Sequence, residues 1–223
     1  MNTKDYAAWP LLDRLGAITT GEKGIVCGAA GKFAIGCVLL LHRDAEFVFI
    51  RKAPKPDYEF SGLWALPGGV VRTSSEPSAD IEPEALSALA AASLRARASA
   101  ECGWDGREEE LSLDLSVQPR MTSYGASGAR RHALVYAFAA NAAPGFAPIA
   151  SDRSVSEARW MDPNDLIGQL APANCLIVFS RIRDRLLPNE RAQWIPHVEA
   201  AFASSSAWAA EVGWRDHDLL RID

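Results

Sequence analysis

An α/β chain ending in a helical extension is predicted by three features of the sequence. Apolar, β-branched or aromatic runs flank a long alanine-rich segment on both sides, a proline and a glycine bracket that segment, and the last part of the chain places apolar residues at three- and four-residue steps.

The N-terminal residues offer a short helix over 8–15 and then a glycine-rich stretch, 21–31, that reads as a loop. Its glycines, Gly24, Gly28 and Gly31, precede a strand instead of following one, so they make a poor phosphate loop. Runs at 34–41 and 47–50, separated by the turn-like His42-Arg43-Asp44-Ala45, predict a hairpin. The basic stretch 51–57 carries Pro54 and Pro56 and cannot continue a central strand, and the chain must turn sharply at Trp64-Ala65-Leu66-Pro67-Gly68-Gly69. From Pro83 to Cys102 the alanine, leucine and arginine content predicts a helix, with a proline suited to its first turn and Gly103 suited to its end. Strand-like runs resume at 111–117, 133–139 and 157–161. Asp162-Pro163 resembles a helix start, and Leu176, Phe179, Ile182 and Leu186 then follow a helical period.

With 223 residues, 48% of them hydrophobic, the chain can bury one sizeable core plus a modest extension. A net charge of -5 and a pI near 5.4 provide no broad positive surface for a nucleic-acid polymer, so any anion must meet a local basic cluster. Cys27, Cys37, Cys102 and Cys175 are too scattered for a disulfide framework and read as reduced thiols. No run of about 18 uncharged apolar residues suggests a membrane partner, and the opening residues lack a signal-peptide core, so a cytoplasmic location is expected.

The stretch Phe60-Ser61-Gly62-Leu63-Trp64-Ala65-Leu66-Pro67-Gly68-Gly69 resembles the entry to the Nudix box, G-x5-E-x7-R-E-U-x-E-E-x-G-U with U bulky and apolar. The later Ser156-Glu157-Ala158-Arg159-Trp160-Met161-Asp162-Pro163 is similar to that family's acid-x-Arg-Trp-x-x-Pro close. The resemblance implies a Nudix-type α/β/α sandwich with a mixed central sheet, as residues 33–170. An N-terminal extension, 1–32, and a helical C-terminal extension, 171–223, packed on the same domain complete the expected organisation.

The family hydrolyses nucleoside diphosphates linked to another group. Its helix needs clustered glutamates because magnesium takes hard oxygen ligands and residues three and four apart share a helix face. Setting the family's last glycine on Gly103 places Ala96-Arg97-Ala98-Ser99-Ala100-Glu101 where the pattern has R-E-U-x-E-E. Only Glu101 keeps an acid, and Arg97 reverses the sign at a position that would hold a metal ligand or base. The box is also longer here by roughly a dozen residues, part of them in the acidic loop 73–82. Glu82 and Glu84 would sit about 25 Å from Glu101 along the helix, leaving Glu76 as the acid a folded-back loop would supply.

The candidate catalytic residues are therefore Glu101 and Glu157, and the candidate metal ligands are Glu101 and the Gly68 carbonyl, with magnesium as cofactor if the protein is active. Glu101 has a plainer alternative, an i,i+4 pair with Arg97. Arg51, Arg97, Arg131 and Trp64 are the candidate substrate contacts, with Arg130 beside Arg131 and Trp160 as a second cleft-wall aromatic. Arg97 reads either as a fixed cation meeting phosphate in place of magnesium or as an ordinary solvated helix residue. Arg153 stands where many family members have another glutamate.

These residues carry three functional expectations. The first is a protein binding a nucleoside diphosphate derivative with weak or absent hydrolysis; the second is an active magnesium-dependent pyrophosphohydrolase with remodelled ligands. The third is a protein-interaction scaffold, with the helical tail Asn164 to Asp223, which carries Trp194, Trp208 and Trp214, packing on a partner or on a second copy as a homodimer.

Overall fold

A computed structural model describes residues 18–21, 25–28, 33–72, 81, 83–125 and 129–213. The expected helix over 8–15, the acidic loop 73–82 apart from Ile81, and Trp214 lie outside the described residues.

Ten strands occur among the described residues: β1 (Ile18–Gly21), β2 (Ile25–Gly28), β3 (Phe33–Arg43), β4 (Glu46–Lys52), β5 (Trp64–Ala65), β6 (Gly68–Val70), β7 (Ser112–Leu113), β8 (Arg120–Tyr124), β9 (Arg131–Asn141) and β10 (Val155–Met161). Three α-helices accompany them: α1 (Pro83–Cys102), α2 (Pro172–Ile182) and α3 (Pro188–Glu211). The sheet is mixed. β3 runs parallel to β9 from Phe33↔His132 to His42↔Asn141, and the other pairings are antiparallel.

Two stretches differ from the sequence expectation. Residues 25–28, expected within a loop, form β2 on β1, because the apolar Ile25-Val26-Cys27 extends between glycines that punctuate the chain. The strand expected over 111–117 stops after Leu113. There the Asp114 carboxylate accepts hydrogen bonds from the Ser116 N–H and hydroxyl, an Asx turn that diverts the backbone before β8 rejoins β9. Asp162-Pro163 likewise starts only a 3-10 turn, with the Asp162 carboxylate accepting from Asn164 N–H.

Side-chain alternation along β3 divides the core. Ile35, Cys37, Leu39 and Leu41 face α1 through Leu86, Ala90, Leu94 and Ala98, whereas Val38 and Leu40 face α2 and α3 through Leu176, Phe179, Trp194 and Val198. The helices thus cover both faces of the sheet, as in an α/β/α sandwich. The small alanines of α1 bring its axis close to the sheet. Its C-terminal end is closed by Gly103 at φ 77, by Trp104 N–H to Ala98 O, and by the Ile149 and Asp152 N–H groups on Cys102 O and Ala100 O. Cys37, Cys102 and Cys175 are buried free thiols, and burial pushes Cys102 and Cys175 up to about 12, so they stay protonated. Among the described residues no helix is long and apolar enough to cross a membrane.

Candidate functional site

The site begins where the sheet forks. β3 and β4 pair only beside their two-residue turn, at His42↔Phe47 and Arg43↔Glu46, and diverge beyond it. The segment Trp64 to Val70 fills the fork, with β5 on β4 and β6 on β3, and Leu39 N–H donating to Pro67 O between them. Gly68 has to be glycine: its φ is 140, and an added Cβ would lie 2.2 Å from Cys37 O and 2.8 Å from Val38 Cα.

Helix α1 lays a row of side chains four residues apart along this bend. Ser93 Oγ accepts from Arg72 N–H at 3.1 Å, the Arg97 guanidinium lies against Gly69, and Glu101 accepts from Gly68 N–H at 2.7 Å. Glu101 is only 1% exposed. Its other oxygen faces Lys52 Nζ at 3.5 Å and Arg97 Nη1 at 3.7 Å. A buried carboxylate requires such partners, and here two cations and an amide provide them. Asp152 is the second acid nearby. Hydrogen bonds from Ser154 hold its carboxyl below the usual range against the opposing effect of burial, and the charges of Arg97 and Lys52 add to the lowering.

The cleft beside this row has a volume of about 740 Å³, within the range of nucleotide-sized pockets. Lys52, Lys55, Arg72, Arg97 and Arg153 line it, and among the described residues Glu101 is the one carboxylate that does. In a chain of net charge -5, the described residues therefore concentrate positive charge at this place. The first turn of α2 adds to it, because Ala173 and Asn174 line the cleft and Ala171 at the N-cap supplies no side-chain cap. On the far wall Tyr58 packs edge-on to Phe60 at 5.6 Å between ring centroids. Burial, followed by the charges of Glu59 and Glu101, raises the Tyr58 phenol and keeps it neutral.

Of the residues singled out in the sequence, Gly68, Arg97 and Glu101 meet in this cleft, and Arg153 lines it. The others lie elsewhere. Arg51 is exposed, donates to Gly62 O at 3.1 Å, and stands 6.0 Å from the Trp64 ring. Trp64 is buried in the core on the α2 side. Glu157 pairs in register with Arg51 and makes an ion pair with Arg159. Arg131 is exposed at the start of β9, and Arg130 pairs with Glu59 at 2.8 Å. Trp160 donates to Phe146 O and stacks under Arg43. Sequence reading missed Lys52, Lys55, Tyr58 and Arg72; strand alternation turns Lys52 into the cleft and Arg51 away from it.

Among the described residues, these donors alone do not make a magnesium site. A divalent cation needs several oxygens at close range, but Glu101 spends one oxygen on an N–H and shows the other to two cations. Gly68, whose carbonyl was the other expected ligand, meets Glu101 through its N–H. Among the described residues no group of three acids, histidines or cysteines could hold a metal ion.

No family model and no curated protein matches the sequence. Solved structures do match in fold. They include the NUDIX domain of Shewanella oneidensis NrtR, complexed with ADP ribose, at 17% identity over 70% of this chain and 89% of that one, with a TM-score of 0.47. They include MutT NUDIX hydrolase from Burkholderia pseudomallei, at 17% identity over 66% and 95%, TM-score 0.42. They also include the M. smegmatis Nudix hydrolase RenU, at 21% identity over 76% and 94%, TM-score 0.42. In fold, this chain is similar to Nudix proteins.

Proposed function

We propose that the protein binds a nucleoside diphosphate derivative in this cleft without magnesium, and with weak or absent hydrolysis. The observation that carries the reading is the state of Glu101, buried and already matched by Gly68 N–H, Lys52 and Arg97. In a magnesium-dependent site the carboxylates attract the cation and the cation attracts the diphosphate. Here Arg97 and Lys52 supply positive charge directly, and a guanidinium matches two phosphate oxygens at once. Tyr58, partly exposed in the cleft lining, offers aromatic surface to a base. The Nudix-box entry at Gly68-Gly69 is the sequence feature that points to a nucleotide diphosphate among other anions.

Catalysis by water attack would need a base or a metal-bound water beside the phosphorus. Glu101 is badly suited to either task while its two oxygens are occupied. The test is calorimetric titration with ADP-ribose, once in chelator and once in magnesium, followed by a phosphate-release assay. Equal affinity in both, without release, is the expected result. Binding that strictly requires magnesium, with release, would establish a hydrolase with remodelled ligands.

A further inference from the structure

Resting on that binding reading, we propose that the preferred ligand carries an unesterified terminal phosphate, and that the rim residues Lys55, Arg72 and Arg153 select it over a diphosphate esterified at both ends. The cations of the cleft fall into two groups. Lys52 and Arg97, at the floor, stand beside Glu101, and both also act electrostatically on Asp152. Two positive charges there are set against the buried Glu101, with Asp152 outside the lining but within electrostatic reach of both, so the floor is largely offset. Lys55, Arg72 and Arg153 are exposed at the rim, and among the described residues no carboxylate lies within ion-pair distance of any of them. Among the described residues, the excess positive charge of the cleft is therefore rim charge.

The rim responds to the ligand's total negative charge, so a ligand that carries more charge gains more from it. A diphosphate esterified at both ends carries about one negative charge per phosphorus, whereas a terminal phosphate monoester ionises a second time near pH 6 and approaches two. With no divalent cation to cancel phosphate charge, each added charge acts on affinity undiminished except by salt. Rim cations on exposed side chains respond to that charge without the desolvation that a buried ion would suffer.

The experiment compares ADP-ribose, ADP and ATP by calorimetry in chelator at low salt. ADP and ADP-ribose share the same diphosphate and differ in whether its far end is esterified. Affinity is expected to rise from ADP-ribose to ADP to ATP by about fivefold or more at each step. The gap between ADP and ADP-ribose should narrow below about pH 6, as the monoester takes up its second proton. Equal affinity for ADP and ADP-ribose overturns the proposal while leaving metal-free binding intact; no binding of any of the three in chelator overturns both. The double variant Arg72→Ala/Arg153→Ala, which changes exposed side chains only, should reduce the ADP to ADP-ribose ratio to under about twofold. A ratio unchanged in that variant would remove the rim from the recognition.

Discussion

The two helical layers of the sandwich solve different problems. The α2–α3 layer fills volume: Leu176, Phe179, Ile182, Trp194 and Val198 are large, buried and packed on the sheet. The α1 layer packs on the sheet through Leu86, Ala90, Ala91 and Leu94, then through the small Ala98 and Cys102 beside Arg97 and Glu101. That closeness lets Arg97 and Glu101, four residues apart on the same helix, touch Gly69 and Gly68. Leucine or phenylalanine at positions 98 and 102 would hold that end of the helix farther off and leave the polar row short of the bend. Both layers fill a core, and the α1 layer also places the charges.

This division is broken most severely at Trp194. The side chain is fully buried against Phe179, 6.0 Å between ring centroids, and its indole N–H donates to Asn164 Oδ1 at 2.9 Å. Trp194→Ala opens a cavity and strands that acceptor, and should lower unfolding free energy by about 3–5 kcal/mol in chemical denaturation. None of the residues lining the charged cleft is Trp194, so nucleotide affinity measured on the folded fraction should stay within about twofold. A large loss of affinity at unchanged fold would show that the two layers are coupled.

Glu101→Gln tests the other layer and should affect binding more than stability. The amide keeps an acceptor for Gly68 N–H but removes the negative charge shared by Lys52 and Arg97. Those cations are partly exposed, at 18% and 29%, and can turn toward water, so the loss should be about 1–2 kcal/mol. In chelator, nucleotide affinity should rise several-fold, because the ligand no longer competes with a carboxylate for the same two cations. A hydrolase that used Glu101 as a metal ligand would show the reverse, with loss of magnesium-dependent binding and of turnover.

The same contrast explains which parts were legible in the sequence. The frame was readable because its signals are local: Pro83 and Gly103 bracket α1, and the β-branched runs mark β3, β4, β9 and β10. The Gly68-Gly69 bend and the Arg97–Glu101 pair were readable for the same reason, through glycine punctuation and helical spacing. The cleft wall was not. Lys52 and Arg51 are neighbours with the same charge, and only the register of β4 on β5 and β10 decides which one turns into the cleft. Lys55, Tyr58 and Arg72 come from a loop and from the residues after β6, and their convergence depends on the fork between β3 and β4. Glu157 carried a family signal, but its ion pair with Arg159 and its pairing opposite Arg51 lie away from the cleft.

The smallest effect concerns Asp152, and it ranks the two carboxylates that compete with a ligand for the floor cations. Hydrogen bonds from Ser154, aided by Arg97 and Lys52, hold its carboxyl below the usual value of 3.8. A depressed carboxylate contributes stability that is present above the ordinary range and is lost as pH falls through the folded value. Asp152→Asn should therefore flatten the acid limb of the stability profile below about pH 4 and leave stability at pH 7 only slightly lower. Its effect on nucleotide affinity in chelator should have the same sign as that of Glu101→Gln, since both remove a negative charge near Arg97 and Lys52. It should be weaker, because Asp152 is better exposed to water than Glu101 and its charge is more fully screened. Calorimetry on the two variants side by side reads that order directly: a larger gain for Asp152→Asn would place the ligand's phosphates nearer to Ser154 than to Gly68.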